Sequence, residues 1–209
     1  MKWSTRFGVV ALSFAATLGC GGGTRVQVPP RIDLQQHEVL AIIEFTTTNK
    51  GELAPLTTQR FVEEIRMDQG LIRIIELGNR DEALAEVDKK RLDPSAYKEL
   101  GQEYEVATIF VGELIVSDIR PAFSITTDLS KVGASADVDA TLTVNMVETA
   151  TGASIWSRSA SVTKRVGNVS VFGGDVDFDA EDPEGAYGEL VDALVFLVTE
   201  EFKVTYARR

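Results

Sequence analysis

The chain has 209 residues, 44% of them hydrophobic and 25% charged, with 32 acidic against 21 basic side chains and a formal charge of −11. That balance excludes the basic face that nucleic-acid binding needs to neutralise phosphates, and it excludes docking on anionic lipid through net charge. The length suits one domain with elaborations, and a single cysteine leaves no disulfide within the chain.

In chain order, Lys2 and Arg6 precede the apolar run "FGVVALSFAATLG". A basic start, a short apolar run and a small residue at its end make a secretory signal over residues 1–19. The run is shorter than the roughly 20 apolar residues of a membrane span. The junction Gly19-Cys20 resembles the lipobox of bacterial lipoproteins; the place three before the cysteine, usually leucine in that family, holds Thr17. The resemblance implies cleavage before Cys20, acyl chains on its thiol and amine, and, with Gly21 where aspartate signals retention, export to the outer membrane. The other reading is an ordinary secreted protein with a free thiol. Residues 20–37 then read as a lipidated N-terminus and a flexible tether, "GGGTRVQVPP" being its loosest part.

Residues 38–209 read as one α/β domain. "EVLAIIEF" (38–45) is a β-branched apolar run, a buried strand. Thr46–Gly51 is a loop. "PLTTQRFVEEIRMDQG" carries Leu56, Phe61 and Ile65 at helical spacing, with Gly70 as its stop. "LIRIIEL" (71–77) is a second strand. Asn79 or Asp81 caps a helix through Ala83, Leu84 and Val87, and Asp93-Pro94 starts another. "VATIFVGELIVSDIRP" (106–121) reads as one long strand ended by Pro121, and "AFSITTDLSKVGAS" as a weaker hairpin arm. "ADVDATLTVNMVET" alternates, "ATGAS" turns at Gly152, and "IWSRSASVTKRV" returns, so the pair is a β-hairpin. "GNVSVFGGDVDFDAEDPEG" is a glycine- and aspartate-rich excursion. The rest, through "VTYARR", reads as a C-terminal helix. The expected fold is therefore a central mixed sheet flanked by helices, in the order β-α-β-α-α-β, followed by antiparallel hairpin strands and the terminal helix. The expected core comprises Val39, Ile42, Ile43, Phe45, Ile74, Ile75, Ile109, Val111, Leu142, Val144 and Trp156.

Catalytic patterns are missing from the sequence. The one histidine, His37, has no partner that would make it a base, and there is no phosphate-binding glycine loop, HExxH, paired cysteine or GxSxG. The aspartates of "DVDFDAED" (175–182) suggest oxygen ligands for calcium. The EF-hand pattern fails there, because Ala180 stands at the sixth position and Ala186 at the twelfth. A strand with its aspartates toward water accounts for the segment. No catalytic residue, metal or cofactor is expected.

"YKELGQEYEVATIFVGELI" is similar to a helix-to-strand segment of the curli-secretion (CsgG) superfamily, with Gly101 and Gly112 at its two glycine positions. "VNMVETATGASIWSRSAS" resembles that superfamily's hairpin through Val144, Val147, Thr151, Gly152, Ile155, Trp156 and Ser157, and "VLAIIEF" its opening strand. The resemblance extends to penicillin-binding-protein activators of the LpoB type and to the N-terminal domain of TolB. Its motifs are structural: Gly152 serves the turn, and Ile155 and Trp156 serve the core. It implies a non-enzymatic, lipid-anchored periplasmic protein that binds an envelope partner or copies of itself. The alternative it implies is a subunit of a curli-type outer-membrane pore, with barrel hairpins at 120–136 and 161–182. Because those segments reach the required alternation of apolar residues only part-way, a compact partner-binding protein is expected, with 166–182 as a flap.

Overall fold

The computed structural model describes residues 25–48, 53–117, 120–125, 132–172, 175–179 and 183–208. Its strands are β1 (Arg25–Val28), β2 (Val39–Ile42), β3 (Thr46–Thr47), β4 (Arg73–Glu76), β5 (Thr108–Val116), β6 (Arg120–Ile125), β7 (Val132–Glu148), β8 (Ser154–Phe172), β9 (Asp175–Asp179) and β10 (Thr205–Arg208). The α-helices are α1 (Leu53–Gln69), α2 (Arg80–Glu86), α3 (Pro94–Glu103) and α4 (Pro183–Val198). The main sheet runs β4-β2-β5-β7-β8-β9, with β3 beside β5 and β6 beside β7. Pairs among β4, β2 and β5 are parallel, and those from β5 onward are antiparallel. This is the mixed α/β architecture that the alternation of strands and helices predicts.

Local chemistry sets the element boundaries. Asn79 accepts from the Asp81 and Glu82 amides while Glu82 reaches back to the Asn79 amide, a complete capping box for α2. Asp93 accepts from the Ser95 and Ala96 amides at the start of α3, and Pro94 occupies its first turn. Helix α1 ends at Gln69, before Gly70 at φ 70°.

Two apolar layers cover the sheet. Helices α1 and α4 close the larger one, centred on Phe45, Phe61, Phe110 and Phe202, each at most 1% exposed. Phe61 sits 5.2 Å from Phe45 and 5.3 Å from Phe110 between ring centroids, a geometry that adds to simple burial. The opposite face holds a smaller cluster around Ala41, Ile43, Leu100 and Ile109, where Leu100 comes from α3. Of the core expected from sequence, Ile42, Ile43, Phe45, Ile109, Leu142 and Val144 are buried, whereas Val39, Ile74, Ile75, Val111 and Trp156 are half-buried. Ile155, expected beside Trp156 in the core, is exposed, because successive strand residues face opposite ways.

Several boundaries differ from the sequence reading. The long strand expected at 106–121 is two: β5 stops at Val116, and Pro121 lies inside β6, which among the described residues pairs only with β7. Proline is tolerated on such an edge strand. Within the segment read as a tether, Arg25–Val28 pairs with β10, and Leu34 is buried in a 3-10 turn, Leu34–His37. The C-terminal helix stops at Val198: the buried Thr199 hydroxyl turns back to the Val195 carbonyl at 2.7 Å, and "VTYAR" then supplies β10 rather than helix. Thr46 and Thr47, read as loop, pair in parallel with Glu113 and Leu114.

Candidate functional site

The site is the part of the sheet that outruns its helices. Strands β7 and β8 have 17 and 19 residues, yet β5 pairs only with Ala140–Glu148 of β7. Beyond that point β6 and β9 flank the two long strands, so two adjacent hairpins, β6-β7 and β8-β9, make a four-stranded antiparallel extension.

Register decides what each face of the extension carries, because residues directly opposite in an antiparallel pair share a face and successive residues alternate. Phe123, Ala134, Val169 and Phe178 form one cross-strand row. Ile125 pairs with Val132 and Val171 with Val176, two residues further out on the same face. Pro121, Ala136 and Gly167 share the row nearer the domain. From the Ala136 row outward no polar residue stands on this face in the described rows; the row inside it pairs Val138 with Lys164. The other face carries Ala122, Ser135, Asn168 and Asp179 in one row and Ser124 with Gly133, then Ser170 with Asp177, beyond it. Ala122 and Phe172, the latter opposite Asp175, are its apolar exceptions.

The apolar face continues the core. Along β7, Val138, Ala140, Leu142, Val144 and Met146 are each at most 1% exposed, on the side that α1 and α4 cover. Ala136, Ala134 and Val132 prolong that row with the same alternation. On β8 a register shift between Ala136 and Asp137 leaves Val166 unmatched, so the core side changes from even positions to odd ones. Helix α4 runs back along β8, with Lys164 paired to Glu189 near its start and Arg158 bonded to Glu200 and Glu201 beyond its end.

Gly152 and Trp156 lie at the opposite end of the β7-β8 hairpin. Gly152 has φ 70°, its amide donates to the Glu148 carbonyl at 2.8 Å, and a Cβ there would meet Pro94 Cα at 2.6 Å. The turn thus requires glycine twice, for conformation and for close approach to α3. Trp156 packs on Phe202 at 4.7 Å between centroids and donates from Nε1 to Glu201 at 2.9 Å. That hydrogen bond, then the Arg158 and Arg31 guanidinium groups, holds the Glu201 carboxyl below its ordinary range. Gln69, 2% exposed, ties the same end together: it accepts from the Leu34 amide and donates to the Ile32 and Phe202 carbonyls. Cys20 lies outside the described residues.

Of the segment 166–182, expected as a mobile or partner-contacting flap, residues 166–172 are the outer part of β8 and 175–179 its partner β9. Asp175, Asp177 and Asp179 take alternate places on β9. Among the described residues no three His, Cys, Asp or Glu side chains come together as a metal site, and no helix is long and apolar enough to cross a membrane.

No family model and no curated protein matches the chain. Among solved structures it is similar to the PelC dodecamer from Paraburkholderia phytofirmans, at 12% identity and a TM-score of 0.43 over 87% of this chain and 99% of that one. It is similar to lipoprotein GNA1162 from Neisseria meningitidis, at 10% identity and a TM-score of 0.41 over 74% of this chain and 93% of that one. It is similar to the LpoB C-terminal domain from Salmonella enterica, at 12% identity and a TM-score of 0.37 over 65% of this chain and 84% of that one. At such scores the shared outline is too coarse to transfer a function.

Proposed function

We propose that the chain is a non-enzymatic subunit of an oligomeric outer-membrane β-barrel, held to the membrane by acyl chains on Cys20. The carrying observation is the four-stranded extension, apolar on one face at every described row from Ala136 outward and largely polar on the other. Barrel strands in a bilayer put apolar residues toward lipid and polar ones toward a water-filled interior. Hydrocarbon also forbids open sheet edges. The outer strands β6 and β9 would each pair with the neighbouring copy, a head-to-tail contact that closes into a ring. One chain supplies only four strands, so the barrel requires several copies.

A second reading is a compact envelope protein whose extension docks on a partner protein through the same apolar face. The lengths of β6 and β9 favour it, since 6 and 5 residues fall short of the roughly 9–11 of a spanning strand.

Planar-bilayer recording with the purified, lipid-bearing chain separates the two. The barrel reading expects discrete, stable conductance steps that vanish when Val171, on the apolar face, becomes Asp. A chain that stays monomeric in detergent and gives no steps is the partner-binding protein instead.

A further inference from the structure

A second concave site lies on the face of the main sheet opposite α1 and α4, beside the smaller apolar cluster. It is a groove of about 280 Å³ with Val111 in its floor and Tyr97 of α3 at its wall. Arg80, the first residue of α2, lines it from one side, and Glu44 and Glu113 line it as well. Asn145, opposite Val111 on the neighbouring strand, adds an amide. Between Val111 and Glu113, Gly112 faces the opposite side of the sheet, where a Cβ would stand 2.7 Å from the Phe45 ring.

The charges are what make this groove a site. The surface ion pairs of the domain engage Arg60 with Glu63, Lys89 with Glu99 and Arg91 with Asp93. Among the described residues, Arg80, Glu44 and Glu113 have no such partner, although all three border one cavity. Burial pushes the Tyr97 hydroxyl up, and the nearby positive charge of Arg80 acts the other way. Two unpaired carboxylates, one unpaired guanidinium, an aromatic wall and an apolar floor form a mixed pocket with a few convergent polar groups.

We propose that this groove binds a short basic peptide end, one that presents two ammonium groups and a carboxylate. The ammonium groups meet Glu44 and Glu113, the carboxylate meets Arg80, and the aliphatic stem lies along Val111 and Tyr97. Guanidinium suits the carboxylate because its planar fork donates two parallel hydrogen bonds. The volume admits a ligand of dipeptide size. The site stands independently of the barrel reading; in a barrel it would open on the water side of the sheet.

The test is a titration of isotope-labelled full chain with the dipeptide Ala-Lys, followed by amide NMR shifts. The acetylated, amidated dipeptide, which lacks the α-ammonium and the carboxylate, serves as the comparison. The expected result is saturable shifts at Gly112, Glu113 and Asn145, with the blocked dipeptide bound about fivefold or more weaker. Arg80→Gln and Glu113→Gln should each weaken Ala-Lys by about fivefold while the thermal midpoint stays unchanged, since both side chains are exposed. Absence of saturable shifts overturns the proposal, as does equal affinity of Ala-Lys for the native chain and the Arg80→Gln variant.

Discussion

Trp156 joins three parts of the chain that are distant in sequence. Its ring lies among Phe110 and Phe202, and its indole N–H ends on Glu201, which also takes Arg31 and Arg158. Truncation to Ala removes both the packing and a charge-assisted hydrogen bond. Urea unfolding of Trp156→Ala should therefore show a loss of about 3 kcal/mol, near the lower end for large core truncations because the ring is half-buried. Trp156→Phe should cost less, keeping the ring contacts and losing the hydrogen bond. A change below about 0.5 kcal/mol in the Ala variant would remove Trp156 from the core.

Glu201 adds a pH dependence whose sign is fixed. Its folded pKa is depressed, first by the Trp156 hydrogen bond and then by the two arginines. A depressed carboxyl stabilises the fold above its unfolded pKa and loses that contribution as pH falls through the folded value. Stability of the native chain should thus decline below about pH 4.5 more steeply than that of Glu201→Gln. Parallel curves for the two proteins from neutral pH to pH 3 would contradict this assignment.

At the scale of elements, the pieces with local signals were legible in the sequence and those without were not. Asn79 and Asp93-Pro94 mark their helices because capping is a contact of two or three residues. The apolar run at 38–45 and the turn at Gly152 are equally local. Strand β10 was missed because its pairing partner β1 lies some 180 residues away and neither strand buries a residue. The apolar face of the extension was only partly legible: Val169, Val171, Val176 and Phe178 stand out in the sequence, and the rest of the face does not. Its residues come from four short segments, and the bulge at Val166 shifts the phase of alternation within β8. Period-two counting across that point mixes both faces, so the segment reads as only partly amphipathic, while the register sorts it completely.

That account of the elements predicts asymmetric effects of charge. Val169→Asp should weaken membrane association of the extension, by less than the about 2–4 kcal/mol that Arg or Lys costs near the bilayer midplane. Ser170→Asp, one residue on and on the opposite face, should leave association unchanged. Flotation of the two variants with phospholipid vesicles, each prepared without the Cys20 acyl chains, reads the difference. Equal flotation would show that the two faces do not differ in their surroundings.

At the scale of the molecule, the domain divides along the β7-β8 hairpin into a helix-covered body and a four-stranded extension. At the body's other end Gln69 bridges Ile32, Leu34 and Phe202. If several copies join their extensions, Asp177 and Asp179 recur around the water-facing wall in every subunit. Rings of carboxylates favour cations in a pore. Reversal potentials in a salt gradient should therefore show cation preference, reduced in the Asp177→Asn, Asp179→Asn double variant. Anion preference in the native chain would contradict this placement of the acidic face.

The central claim is that one face of the extension meets lipid and the other meets water. Single cysteines placed in turn at 168 through 171 and at 176 through 179 of the membrane-reconstituted protein, each labelled with a water-soluble and a lipid-soluble maleimide, test it directly. The account predicts strict alternation: 169, 171, 176 and 178 label from the lipid phase, and 168, 170, 177 and 179 label from water. Uniform labelling of all eight positions by the water-soluble reagent would contradict it.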